Sequence, residues 1–242
     1  MSTVTGDLLL SLATFVAAFA SGLAGFAFAL IATGIYLYVL APAEAVPLVL
    51  AGSLTAQTIT LLALKGSIDW LRLHPFLIGG IVGIPLGAFL LQHIDVPVFR
   101  LAVGAFLVAY SVFMFLRPVA AAIDAGGRAV DGAIGFIGGV MGGLAGLSGA
   151  IPTIWCGLRG WPKQIQRGVY QPYIFVMQLL ALVWLGGFGT IGMRTVAQFL
   201  ICLPALVIGT WLGLKLYARV DDAQFRRIVL LLLLGSGIGL LV

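Results

Sequence analysis

An apolar stretch of 34 residues, from residue 7 to residue 40, limits the folds open to this chain more than any other feature. As one straight helix it would be about 51 Å long, at about 1.5 Å per residue. A bilayer's hydrocarbon core is only about 30 Å thick. Its centre is rich in small residues, Ser21-Gly22-Leu23-Ala24-Gly25. A second long stretch, 131–158, carries Gly142-Gly143-Leu144-Ala145-Gly146-Leu147-Ser148-Gly149. The economical reading of each is a helix, a break at the glycines and a returning helix, either re-entrant or spanning twice.

That the solvent is lipid follows from composition. Of the 242 residues, 62% are hydrophobic and 9% charged, against about 45–50% and about 25% in soluble domains. A fold of this size cannot hide so much apolar surface from water. Leu101 to Leu116 and Val169 to Met193 carry no charge at all. The runs do not alternate polar with apolar residues, which argues against a membrane β-barrel. The 33 glycines suit closely packed membrane helices. The net charge of +5 lies in joints between spans, where topology accounts for it; no basic patch for nucleic acid exists. Cys156 and Cys202 sit inside apolar runs and read as small buried hydrophobes. The first basic residue is Lys65, so no secretory signal is expected.

Apolar stretches cover 7–40, 45–64, 75–92, 97–116, 131–158, 165–186, 195–217 and 224–242. They repeat in order. Gly22-Leu23-Ala24-Gly25-Phe26 returns as Gly143-Leu144-Ala145-Gly146-Leu147, and Gln57 as Gln178, both 121 residues later. Leu86-Gly87 returns as Leu212-Gly213, and Phe99-Arg100 as Phe225-Arg226, both 126 later. A five-residue insertion in the second half reconciles the offsets. Two related halves, 1–120 and 121–242, form one membrane domain, a common transporter construction.

Basic residues choose between topologies. If each long segment crosses once, one face holds eight (Arg100, Arg159, Lys163, Arg167, Lys215, Arg219, Arg226, Arg227) and the other five (Lys65, Arg72, Arg117, Arg128, Arg194). If each enters and leaves on the same face, eleven gather on one side and only Arg100 and Arg194 remain opposite. Positive charge concentrates on the cytoplasmic side. The expected fold is therefore an all-α polytopic bundle of two inverted repeats, each a broken hairpin plus three spanning helices, with both termini outside.

A broken helix must face protein, water or substrate, since lipid cannot satisfy its freed backbone groups. Each restarting helix points N–H groups and a positive dipole end at the gap. Two inverted hairpins would bring two such ends to a shared anion site. The amides near Gly25 and Phe26 and those near Leu147, Ser148 and Gly149, beside Gly146, are the expected donors. The alternative is that these glycines only allow close packing. Gln57 and Gln178 stand at matching depths; they are candidate ligand contacts, or glue between helices. Ser53, Thr55, Tyr170 and Gln171 share their spans. Arg167 offers a planar fork for carboxylate or sulfonate, or simply belongs to the basic joint with Arg159 and Lys163. Trp155 and Trp161 flank that joint as interfacial anchors.

His74 and His93 are the only histidines and lie in joints; no HExxH, GxSxG or P-loop pattern occurs. No enzyme activity, cofactor or metal is expected. Glu44 is the acidic residue nearest a repeat feature and the one candidate for a proton relay.

The chain resembles the TauE/SafE family of sulfite-exporter-like membrane transporters. The resemblance rests on the two Gly-Leu-Ala-Gly motifs, the Ile68-Asp69-Trp70 joint, and Gly83-Ile84-Pro85-Leu86-Gly87 before Asp95. It covers essentially the whole chain. It implies transport of sulfite, sulfoacetate, related sulfonates or other small organic anions. The small polar stretch that opens the span after each hairpin departs here, reading Ala45-Val46-Pro47-Leu48 and Gln166-Arg167-Gly168-Val169-Tyr170. The expected function is a secondary carrier in the plasma membrane, with a small anion as substrate and lipid as surroundings. An anion channel is the first alternative, and a membrane enzyme or accessory subunit the second. A homodimer is kept open for the assembly.

Overall fold

The structure is a computed structural model that describes residues 3–63, 68–116, 127–187, 189, 191–216 and most of 230–241. The helices delimited among them are α1 (Thr3–Ala24), α2 (Ala27–Tyr36), α3 (Pro42–Ala63), α4 (Trp70–His93), α5 (Val96–Leu116), α6 (Gly127–Ala145), α7 (Ala150–Leu158), α8 (Lys163–Gly187) and α9 (Met193–Leu216). The described part of 230–241 is also helical, and no strand occurs among the described residues. α1, α3, α4, α5, α8 and α9 are long and apolar enough to cross a membrane. The fold is thus an all-α polytopic membrane bundle.

Both long stretches are broken at their glycines. Gly25 and Gly146 have φ of 83° and 74°, a left-handed conformation that side chains with a Cβ resist. Each ends its helix. The Gly25 N–H donates to the Ser21 carbonyl at 2.7 Å. Gly146 donates to Gly142 at 2.9 Å, the five-to-one bond of a left-handed helix end, and Leu147 to Met141 at 3.1 Å. The returning limbs α2 and α7 have 10 and 9 residues, about 15 Å of rise. That is half of the hydrocarbon core, so neither limb is long enough by itself to cross it.

The first helix of each half packs most extensively on the third long helix of the other, α1 on α9 and α6 on α4. The registers correspond. Gly83 abuts the Phe136 backbone as Gly209 abuts Phe15; Gly87 meets Val140 as Gly213 meets Phe19; Gly143 meets Ile84 as Gly22 meets Thr210. Partners on the first helices differ by 121 and those on the third by 126, so both sequence offsets recur as contacts. At these positions a Cβ would overlap backbone atoms of the facing helix, the close approach that small residues give membrane helices.

Joints are shorter than the sequence suggested. Asp69 starts α4 by accepting the Arg72 N–H at 3.1 Å, so Arg72 and His74 are helical rather than loop. His74 and His93 bond the Trp70 and Phe89 carbonyls within that same helix. The expected boundary near residue 120 lies in 117–126, outside the described residues.

Contacts sort the described basic residues into two ends. Gly6 packs on Val39, so the first hairpin opens at the end where Glu44 pairs with Arg194 at 3.3 Å. The Trp155 indole donates to Asp131 at 2.7 Å and closes the opposite end of the second hairpin. There the Trp161 ring lies between the Arg72 and Arg159 guanidiniums, 5.2 and 5.4 Å from its centroid. Lys65, Arg117, Arg219, Arg226 and Arg227 fall outside the described residues.

Asp69 also pairs with the Arg72 side chain. Partial burial pushes its carboxyl up, but the Arg72 side-chain and backbone hydrogen bonds and the Arg72 charge outweigh this and hold it below the usual range. A depressed pKa means stability present above the unfolded value and lost as pH falls through the folded one. Asp69→Ala should therefore cost about 1 kcal/mol at neutral pH, as lost helix caps do. The difference from wild type should shrink below about pH 4, where an ordinary Asp protonates, as read by thermal midpoints in detergent.

Candidate functional site

The two restarting helices converge. α2 starts after Phe26 and α7 after Gly149. A Cβ built on Gly149 would lie 3.7 Å from the Phe26 Cβ, and Thr33 on α2 donates to the Ala145 carbonyl at 3.2 Å. The hairpin tips therefore meet inside the bundle, and the positive ends of both half-helices face one region. The donor set differs from the sequence expectation. The Gly25 and Leu147 N–H groups are spent on capping the preceding helices, and the Ala150 N–H folds onto Leu147 at 3.2 Å. The remaining donors belong to the first turns of the restarting helices, where N–H groups lack intrahelical partners.

Side chains from the following spans hold each tip. Gln57 Nε2 donates to the Gly25 carbonyl at 2.7 Å, and Gln178 Nε2 to the Gly146 carbonyl at 2.9 Å. The expected pair thus does one job at equivalent positions: it satisfies the carbonyl that each break frees. The surroundings then differ. Gln57 Oε1 accepts from Thr60 at 3.2 Å, whereas Ala181 stands at the matching place in the second half. Gln178 Oε1 is buried and has no hydrogen-bond partner among the described residues. Gln178 Nε2 also reaches Ser148 Oγ at 3.2 Å.

α8 supplies further contacts at the first tip. Arg167 donates to the Leu23 carbonyl at 2.7 Å and Tyr170 to the Ala24 carbonyl at 3.1 Å. Arg167 thus places its charge at the negative end of α1, two residues before the break at Gly25. The sequence suggested an anion fork or a place in the basic joint, and this bond to the first hairpin is a further contact that it did not suggest. Gln171 packs on Gly25, and its Nε2 is buried without a partner among the described residues. The Tyr170 ring meets Phe26 edge-on, centroids 6.0 Å apart. At the second tip the counterparts are apolar: Gly146 packs on Val49 and Leu50, which precede Tyr170 and Gln171 by 121 residues.

Gly25, Phe26, Gly149, Tyr170 and Gln171 therefore cluster, with Gly146, Ser148 and Gln178 beside them and Gln57 behind the first tip. Ser53 is buried on α3, one turn before Gln57. Thr55 bonds back to Ala51 within its own helix at 2.9 Å. Glu44 lies at the end of the bundle in its pair with Arg194, away from the tips, so it does not fit a relay there. The sequence reading missed Ser21, Thr33 and Thr60. Ser21 Oγ is buried one turn before Gly25 and has no partner among the described residues. Its place inside the repeated glycine motif was the available signal.

The family model described as "Sulfite exporter TauE/SafE" matches residues 10–240 of the chain. No curated protein and no solved structure matches it.

Proposed function

Because the chain belongs to the TauE/SafE sulfite exporter family, a family of membrane transporters rather than enzymes, we propose that it is a secondary carrier for a small organic or sulfur-containing anion. Sulfite, sulfoacetate and related sulfonates are the substrates proposed. The anion sits between the hairpin tips. First-turn amides of α2 and α7 receive its charge, Gln171 Nε2 donates to it, Tyr170 and Ser148 line the site, and Gln178 Oε1 accepts from water held with the anion. Arg167 adds positive potential from behind the first tip. The observation that carries this reading is the convergence of Phe26 and Gly149 beside two buried, unpartnered amide atoms, Gln171 Nε2 and Gln178 Oε1. Buried polar groups are nearly always satisfied, and a bound anion and its water would satisfy these.

The two halves are proposed to lie inverted in the plasma membrane. The end bearing Arg72, Arg159 and Arg167 faces the cytoplasm, and both termini lie outside. A reporter fused to the C-terminus should respond as extracytoplasmic; a cytoplasmic signal would overturn this orientation.

Transport is tested in proteoliposomes with radiolabelled sulfite and sulfoacetate. Uptake should saturate and show counterflow. Gln171→Leu should lower kcat/KM about tenfold to a hundredfold, the value of a hydrogen bond to a charged group, without lowering the melting midpoint, since its Nε2 has no hydrogen-bond partner among the described residues and leucine keeps the packing volume. Unchanged transport in that variant would remove Gln171 from the site. Flux that rises linearly with concentration, without counterflow, would make the protein a channel.

A further inference from the structure

We propose that a cavity at the Arg100 end of the bundle binds the phosphate headgroup of an anionic phospholipid. The cavity holds about 560 Å³ and lies between the joint after α2, the first turns of α5 and the end of the helical stretch 230–241. Leu37, Tyr38, Val98, Leu101 and Leu241 contribute walls, and Arg100 is the cation in its lining.

Four observations point to a lipid. Arg100 makes no ion pair among the described residues, and its Nε is buried with no hydrogen-bond partner. A guanidinium in an apolar wall is costly unless an anion meets it. The walls are hydrocarbon, and Val98 and Leu101 are 51% and 56% exposed on the outer surface of α5. The cavity therefore opens sideways, toward acyl chains, and not toward the hairpin tips. Arg100 is the fifth residue of α5, about 6 Å from the helix start. That is the depth at which headgroup phosphates meet the apolar core. Arg100 also sits at the end that holds fewer of the described basic residues. Its companion there, Arg194, is paired with Glu44, while Arg100 has no ion-pair partner among the described residues. An inorganic anion would satisfy the charge but would gain nothing from the apolar walls.

The test is thermal melting of the purified full chain in detergent, with four additions: phosphatidylglycerol, phosphatidylcholine, inorganic phosphate, and none. A ligand bound only by the folded state raises the midpoint. Phosphatidylglycerol should raise it by about 5 °C, phosphatidylcholine by much less, and inorganic phosphate not at all. Arg100→Gln should lose the difference between the two lipids. Leu101→Trp, which fills the cavity while keeping the charge, should lose it as well and covers the case in which Arg100→Gln misfolds. Equal shifts with both lipids would overturn the proposal, as would a full shift with inorganic phosphate or a difference that survives Leu101→Trp. Concentration-dependent dimerisation that Leu101→Trp abolishes, with no lipid selectivity, would assign the face to a second copy of the chain and also overturn it. Because melting and not transport is read, the outcome is independent of the anion proposed at the tips.

Discussion

Leucine at Gly139 is expected to eliminate the folded protein. A Cβ built on Gly139 would overlap the Gly80 carbonyl oxygen and lie 2.8 Å from the Gly80 Cα. These are backbone atoms that no rotamer change can move. Overpacking a core costs about 1–3 kcal/mol where side chains can yield. Here α4 and α6 must separate along their whole contact, and Gly83, Gly87 and Gly143 lose their partners with them. The expected cost exceeds about 3 kcal/mol, a large part of the about 5–15 kcal/mol by which folded proteins are typically stable. The measurement is the monodisperse peak in fluorescence size-exclusion of detergent extracts, which should collapse. Gly187→Leu is the control, because nothing lies within 4 Å of a Cβ there; it should leave the peak unchanged. A sharp peak with a near-normal melting midpoint for Gly139→Leu would mean that the two helices do not cross this closely.

Replacing Gln57 and Gln178 together by leucine should produce the second largest effect. Each leucine approximates the volume of the amide it replaces but orphans a tip carbonyl, Gly25 in one half and Gly146 in the other. A buried polar group left unsatisfied costs about 1–3 kcal/mol. Two separate sites should add, giving about 2–6 kcal/mol. For a chain of this size each kcal/mol lowers the midpoint by about 2–4 °C, so a fall of about 10 °C is expected, with transport lost. The singles should differ. Thr60 keeps the Ala56 and Gln57 carbonyls as partners when the Gln57 side chain goes. Removing the Gln178 side chain also frees Ser148. Gln178→Leu should therefore be the more damaging of the two in both assays. A double variant that melts like wild type would return both residues to general helix packing.

Much of the fold was legible because a membrane makes simple demands. Residues 7–40 are too long and too apolar for one span, and a glycine-rich centre is where a chain in lipid can turn. Gly25 and Gly146 do turn there. The offsets of 121 and 126 were readable as repeated letters and return as matched contacts between α1 and α9 and between α6 and α4. Helix starts were less legible. Asp69 begins α4 by capping it, although the polar run through Arg72 and His74 reads as loop, because a cap is a local geometry that composition does not reveal.

The polar residues at the hairpin tips were legible in the sequence, and their partners were not. Gln57, Gln178, Arg167, Tyr170 and Gln171 all stand at the tips, as polarity inside apolar spans implied. Most of them bond the hairpin carbonyls rather than stand open. Polarity says that a side chain needs a partner and cannot say which one, since the partner is brought from more than thirty residues away in the chain for Gln57 and from 144 for Arg167.

The sequence by itself determined the solvent, the helical class, the two breaks and the duplication. These depend on residue type and spacing, and the bilayer enforces them through thickness and backbone satisfaction. Only the tertiary structure decided that the returning limbs are short, of 10 and 9 residues, and that their starting ends meet at Phe26 and Gly149. It alone showed the tips to differ, with Tyr170 and Gln171 at one and Val49 and Leu50 at the other. Those outcomes depend on which helix packs on which and at what register. Side-chain contacts between the halves set that, and no single stretch of sequence contains both partners.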